Sequence, residues 1–244
     1  MGTAIMVTSG KGGTGKTSVT AGVAGCLAAL GRRVLCVDVD IGLRNLDLVL
    51  GLSDRAAMDF SDVMARRCSL LNAAVEHPGV RGLYLLTAPL SEEGLDEAAF
   101  RTVIGEAKDC FDFVLMGSPA GLGTGFRLAK AAADRAIVVS AVDAAALRDA
   151  QRAVSELMGQ VGDIHLVMNR VKPSLIRTLR TSLDNAMDTA GLPLLGVVPE
   201  DANVTVAAAA GEPMVLATCK GASPAYLNIA KRLLGQRTPL LRIR

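Results

Sequence analysis

Gly10-Lys11-Gly12-Gly13-Thr14-Gly15-Lys16-Thr17 fits the spacing G-x-x-x-x-G-K-[ST], and the chemistry open to such a stretch is the holding of a polyphosphate. Glycines let the backbone bend close around an anion, successive N–H groups converge on it, and a following helix turns its positive end toward it. In such a loop Lys16 reaches the β- and γ-phosphates, the Thr17 hydroxyl ligates Mg²⁺, and the hydroxyl of Ser18 lies beside the α-phosphate. The competing reading is an ordinary glycine turn before a helix, which would not require a match at every position. Position 11 carries a charge that phosphate binding alone does not need. Lys11 is therefore either a solvated loop lysine or one that extends toward another subunit's nucleotide.

Other residues with chemistry stand at the ends of apolar runs. Asp38 and Asp40 alternate after residues 33–37, which places both on one side, near a γ-phosphate, where a carboxylate orients or deprotonates a water. A polar turn with helix-capping aspartates is the plainer alternative. Asn169 offers a donor and an acceptor to a base edge. Arg170, Lys172, Arg177 and Arg180 cluster around Pro173; they could meet DNA phosphates, but Asp184 and Asp188 follow closely and favour a solvated face. In Pro199-Glu200-Asp201, the aspartate is a good N-cap for a helix over 202–209.

These residues need a scaffold that brings strand ends together. Apolar runs of strand length recur at 4–7, 34–37, 83–86, 113–116, 136–139, 166–168 and 194–198, separated mostly by Ala/Leu segments with helical spacing. Their continuous apolarity implies strands covered on both faces, hence a mainly parallel twisted sheet in a three-layer α/β fold, with active residues at the carboxyl ends of the strands. Residues 53–80 contribute only short amphipathic pieces at 60–65 and 70–75.

The loop form K-G-G-T-G-K-T, with Lys11 in second place, resembles the deviant Walker A loop of the MinD/ParA family of dimerising ATPases. The resemblance implies a P-loop NTPase fold over residues 1–235, ATP/ADP and Mg²⁺ as cofactors, and an ATP-dependent homodimer in which Lys11 compensates charge on the partner's phosphates. The run D-x-D-x-G-L-R-N-L-D, from Asp38 to Asp47, is similar to the switch I region of the MinD branch. It implies Asp40 as the water-activating carboxylate and Asp38 as its assistant, both reaching the metal through water, with Arg44, Asn45 and Asp47 on a nucleotide-sensitive surface. Its R-N-L-D portion favours that branch and its flagellar relatives over plasmid-partition proteins. By the same resemblance, Asn169 with Arg170 and the turn Pro199, Glu200, Asp201 lie at the base. The helix bearing Leu147 to Arg152 resembles the one that receives a MinC/MinE-like regulator, although alternating charges on a helix are as often a solvated face.

Two departures qualify the likeness. The strand 113–116 leads into Gly117-Ser118-Pro119-Ala120-Gly121, where the family carries D-S-P-A-G. Glycine cannot offset charge or fix metal geometry, and Asp109 and Asp112 stand at the strand's other end, so slowed or lost hydrolysis with retained nucleotide binding is expected. Ser118 to Gly121 otherwise resemble switch II, with Gly121 free to swing. The second departure is the stretch 236–244, interrupted by Pro239, which is too short for the basic amphipathic membrane helix of the family. Autonomous membrane binding is not expected.

Composition closes off other classes. The 244 residues carry a net charge of +2, 3% aromatic residues and no Trp, which argues against base-stacking nucleic-acid recognition. Cys26, Cys36, Cys68, Cys110 and Cys219 form no C-x-x-C pair and read as core residues of a cytoplasmic, reducing environment. His77 and His165 are far apart and lack metal-ligand spacing. What the resemblance implies is an ATP-binding dimerisation switch in septum placement, with weak ATPase activity. The alternatives are a hydrolysis-defective scaffold for a flagellar or pilus assembly and a DNA-partition ATPase.

Overall fold

The computed structural model describes residues 1–172, 174 and 183–241. Pro173, Arg177 and Arg180 of the basic cluster, and Arg242-Ile243-Arg244, lie outside the described residues. Among those described, the strands are β1 (Thr3–Thr8), β2 (Val34–Asp38), β3 (Val75–Glu76), β4 (Leu83–Leu86), β5 (Phe113–Gly117), β6 (Arg135–Ser140), β7 (Asp163–Val171) and β8 (Leu194–Pro199). They form one sheet in the order β3-β4-β2-β5-β1-β6-β7-β8, parallel throughout except for the antiparallel β3–β4 pair.

Helices cover both faces. Among the described residues they are α1 (Lys16–Ala29), α2 (Asn45–Val49), α3 (Phe60–Met64), α4 (Leu70–Ala73), α5 (Glu97–Cys110), α6 (Thr124–Ala132), α7 (Ala144–Leu157), α8 (Leu183–Ala190), α9 (Ala202–Ala210), α10 (Met214–Ala217) and α11 (Ser223–Leu233). Alternate strand residues feed two separate cores, which is why the strands read as unbroken apolar runs. Met6, Val37, Val114 and Met116 pack with Phe60, Phe100 and Phe126 on one side. On the other, Val7, Cys36 and Leu115 pack with Leu27, Tyr226 and Ile229.

Every expected strand is present, each with matching or longer bounds. The short strand β3 and the one-turn helix α10 were not anticipated: two and four residues carry no readable period, and β3 exists because β4 supplies its hydrogen-bond partners. The cysteine expectation needs correction. Cys26 and Cys36 are buried, Cys68 and Cys110 half-buried, and Cys219 is exposed in the loop after α10. Residue type alone did not reveal that this loop leaves the core. No described helix is long and apolar enough to cross a membrane.

Candidate functional site

The glycine loop runs from the carboxyl end of β1 to the first turn of α1. Gly13 and Gly15 hold φ of +77° and +86°, the left-handed geometry that turns neighbouring N–H groups into a concave anion nest and that a side chain would oppose. Gly10 is needed for a different reason: a Cβ there would overlap the main chain of Asp149 on α7, so the loop rests directly against that helix. Burial lowers the Lys16 pKa while the charge of Asp40 acts in the opposite direction, and the Lys16 ammonium has no hydrogen-bond partner among the described residues. The buried Thr14 hydroxyl is likewise without a hydrogen-bond partner in the described structure.

Behind the loop stands the end of β7. Asn169, buried, donates from Nδ2 to the Thr14 carbonyl at 2.7 Å. Part of the amide expected at the base is therefore committed to the loop, although Asn169 also lines a cleft with Gly15, Ser18, Pro199, Glu200 and Tyr226. Arg170 donates from Nη1 to the Gly13 carbonyl at 3.2 Å, and from Nε and Nη2 to the two carboxylate oxygens of Glu200 at 3.3 and 3.1 Å. This pair holds the Glu200 carboxyl below its ordinary range. The Asp201 carboxylate accepts from Asn203 N–H at 2.9 Å, capping α9 as its residue type suggested, and from Ala222 N–H at 2.8 Å.

The carboxylates are arranged differently from the simple alternation expected of them. β2 ends at Asp38, and the chain then turns: Asp38 accepts the N–H groups of Asp40 and Leu46, each at 2.9 Å. Asp40 follows an Asx-type turn rather than another strand pleat, because a short carboxylate competes for backbone donors at a strand's end. The capping role weighed for these aspartates thus belongs to Asp38, which closes the start of α2. Burial is the main cause raising the Asp38 pKa to about 6, against the two N–H bonds that lower it. Asp40 is half-exposed and accepts from Asn45 Nδ2 at 3.3 Å, while Arg44 pairs with the buried Asp47 at 3.3 Å.

Gly117 lies directly across from Asp38 in the parallel register of β2 and β5. A Cβ at this glycine would sit 3.6 Å from Thr20 Oγ1 and 3.9 Å from Leu46, an ordinary contact distance. The place of the family's aspartate is thus sterically open. Thr20, which sequence reasoning passed over, borders it from α1. Thr17 and Ser18 occupy the first turn of α1, beside Lys16.

Lys11 does not project freely. Its Nζ lies 3.2 Å from Asp143 Oδ1, at the N-cap of α7. On that helix Leu147 and Ala150 are buried, whereas Arg148, Gln151 and Arg152 are exposed, so the segment expected to receive a regulator presents a basic and polar face. Asp143 was the partner that sequence reasoning missed; its position just before an Ala-rich helix is the N-cap signal that marked it.

A nest, a half-buried lysine, strand-end carboxylates and a base-side cleft on this sheet define a P-loop nucleotide-binding protein. The chain belongs to the CobQ/CobB/MinD/ParA nucleotide-binding family, whose domain model matches residues 5–214. Among curated relatives it is similar to the septum site-determining protein MinD of Bacillus subtilis, at 40% identity over 98% of this chain and 92% of the relative. MinD of Synechocystis sp. is 38% identical, over 97% and 91%. Among solved structures, MinD in the MinC:MinD cell division complex of Aquifex aeolicus superposes with a TM-score of 0.92 at 34% identity, covering 99% of each chain. MinD from Pyrococcus horikoshii, solved with Mg-ADP, gives 0.85 at 30% identity and 96% of each chain.

Proposed function

We propose that this chain is a MinD-like ATP-binding switch that pairs with a second copy when loaded with MgATP and acts in placing the division septum. The observation that carries the reading is the Gly13–Gly15 nest beside a half-buried lysine with no anionic hydrogen-bond partner among the described residues, in a chain similar to MinD from end to end. The donor set fits the cofactor. Mg²⁺ keeps several waters and takes phosphate oxygens with only one or two protein ligands, so it does not require a cluster of three acidic, His or Cys side chains, and none exists among the described residues.

When bound, ATP supplies the phosphoanhydride and Mg²⁺ neutralises its developing charge. The residues Gly10, Lys11, Gly12, Gly13, Thr14 and Gly15 form the cradle, Lys16 meets the β- and γ-phosphates, and Thr17 offers the metal its hydroxyl. Asp38 holds the metal's water shell, Asp40 orients the attacking water, and Ser18, Asn169, Pro199 and Asp201 flank the nucleoside. Lys11 leaves Asp143 to reach the partner's phosphates. With Gly117 in place of a carboxylate, hydrolysis is slow, so the paired state is long-lived. The solved MinC:MinD neighbour supports a MinC-like partner, and the exposed Arg148, Gln151 and Arg152 are the face we assign to it. The similarity to MinD relatives disfavours the polar-scaffold and DNA-partition alternatives.

ATP titration followed by sedimentation in ATP and ADP tests this function. Binding in both with association only in ATP is expected. Failure to bind either nucleotide at millimolar concentration would end the assignment.

A further inference from the structure

We infer that Arg170 is a positioning residue that shapes the phosphate loop from behind, acting on the nucleotide through the backbone of Gly13. The inference rests on the nucleotide-binding reading above and goes beyond the placement of Arg170 at the base. In a regular strand, adjacent side chains point to opposite faces, so two neighbours cannot both serve one loop. At the end of β7 they do. Arg170 adopts φ +56°, left-handed for a residue with a Cβ, and the pairing with β8 slips between Met168 and Val171. This local irregularity re-aims a side chain, the known use of a bulge beside a functional site.

Its result is a grip on two consecutive carbonyls, Gly13 by Arg170 at 3.2 Å and Thr14 by Asn169 at 2.7 Å. In a trans peptide the C=O and the next N–H point in opposite directions. Drawing the Gly13 and Thr14 carbonyls toward β7 therefore turns the N–H groups of Thr14 and Gly15 away from it, into the nest. The same guanidinium is braced by both oxygens of Glu200, in the turn bordering the base cleft. Only a planar fork with several fixed donors can serve a carbonyl and a bidentate carboxylate at once; a lysine cannot. One side chain thus joins the phosphate loop, the bulge and the base-side turn.

The test compares ATP with inorganic tripolyphosphate, each with Mg²⁺, on the full chain carrying Arg170→Met or Arg170→Asn. If Arg170 shapes the loop, both variants weaken both ligands by the same factor, about tenfold, the scale of a lost charge-assisted hydrogen bond. Asparagine tolerates left-handed backbone, so Arg170→Asn retains or raises the ligand-free melting temperature while still losing affinity, a split that a merely structural role would not give. Weaker ATP with unchanged tripolyphosphate would make Arg170 a base contact, and unchanged binding of both would make the clamp idle; either overturns the inference. If the unsubstituted protein bound neither ligand, the nucleotide reading itself would fall first.

Discussion

The Lys11 ammonium and the Ala146 N–H converge on one oxygen, Asp143 Oδ1, at 3.2 and 2.9 Å. A residue that the family resemblance sends across a dimer interface is held within its own chain, at the start of the helix that carries Arg148 and Arg152. Those contacts outweigh the effect of burial and keep the Asp143 carboxyl below its ordinary range. Releasing Lys11 is cheap, because the pair is 38% and 46% exposed and such pairs are worth at most about 1 kcal/mol. Lys11→Ala is expected to abolish ATP-dependent dimerisation. Asp143→Asn keeps a capping side chain but removes its charge, so ATP-dependent association should tighten, by up to about fivefold. Sedimentation in ATP checks both, and an unchanged profile for Lys11→Ala would refute the crossing role.

Gly117→Asp should both restore turnover and expose its cost. The new carboxylate fits beside Thr20 but stands opposite Asp38, so without metal two like charges share one buried corner. Expected outcomes are a lower melting temperature without ligand, a larger gain on adding MgATP, and phosphate release at least about tenfold faster, as for recovery of one metal-ordering group. Nucleotide binding with unaltered phosphate release would show that the missing carboxylate does not limit hydrolysis.

Asp38 makes folding pH-sensitive. Its folded pKa, about 6, lies above the reference value of 3.8, so the stability favoured by its protonated form is complete below that reference and is lost as pH rises to about 6. The shift bounds the effect near about 3 kcal/mol. Asp38→Asn removes this dependence but forfeits one of two backbone bonds, leaving a gain of about 1 kcal/mol at neutral pH. Urea midpoints at pH 4 to 7 would reveal it; a less stable variant at pH 7 would contradict the charge argument.

His77 acts in the opposite sense. Its Nδ1 accepts the N–H groups of Gly79 and Val80, each at 3.0 Å, and burial lowers its pKa from 6.5; burial lowers that of His165 as well. Folding is therefore favoured above 6.5, and that advantage lapses as pH falls through the lowered values. His77→Gln should flatten the loss of stability between pH 7 and 5. An identical slope in the variant would assign the effect to His165.

Charge reversal on α7 separates its two readings. Arg148→Glu with Arg152→Glu is expected to block capture of MinC at unchanged ATP affinity, measured by cosedimentation. Retained MinC binding would leave the face merely solvated.

What could be read beforehand was whatever is written locally. The loop spacing, the unbroken apolarity of β1 or β5 and the capping chemistry of Asp201 each depend on neighbouring residues, and each leads to the observed element. The Lys11–Asp143 pair spans 132 positions, and the backbone conformation of Arg170 leaves no mark in residue type, so neither was legible. The turn between Asp38 and Asp40 was not legible either, because a period of two was extended past the strand's last residue, where side-chain hydrogen bonding takes over.

At the margin of the sheet, the Arg232 guanidinium donates to the Thr238 carbonyl at 2.9 and 2.6 Å and to Leu195 O at 2.8 Å, fastening the segment after α11 beside the entry of β8. A bare outer strand invites indiscriminate addition of foreign strands, the route to aggregates. For the proposed pairing of two copies through the nucleotide face, the Leu195 carbonyl taken up by Arg232 is one acceptor fewer for a second, unregulated association along that border.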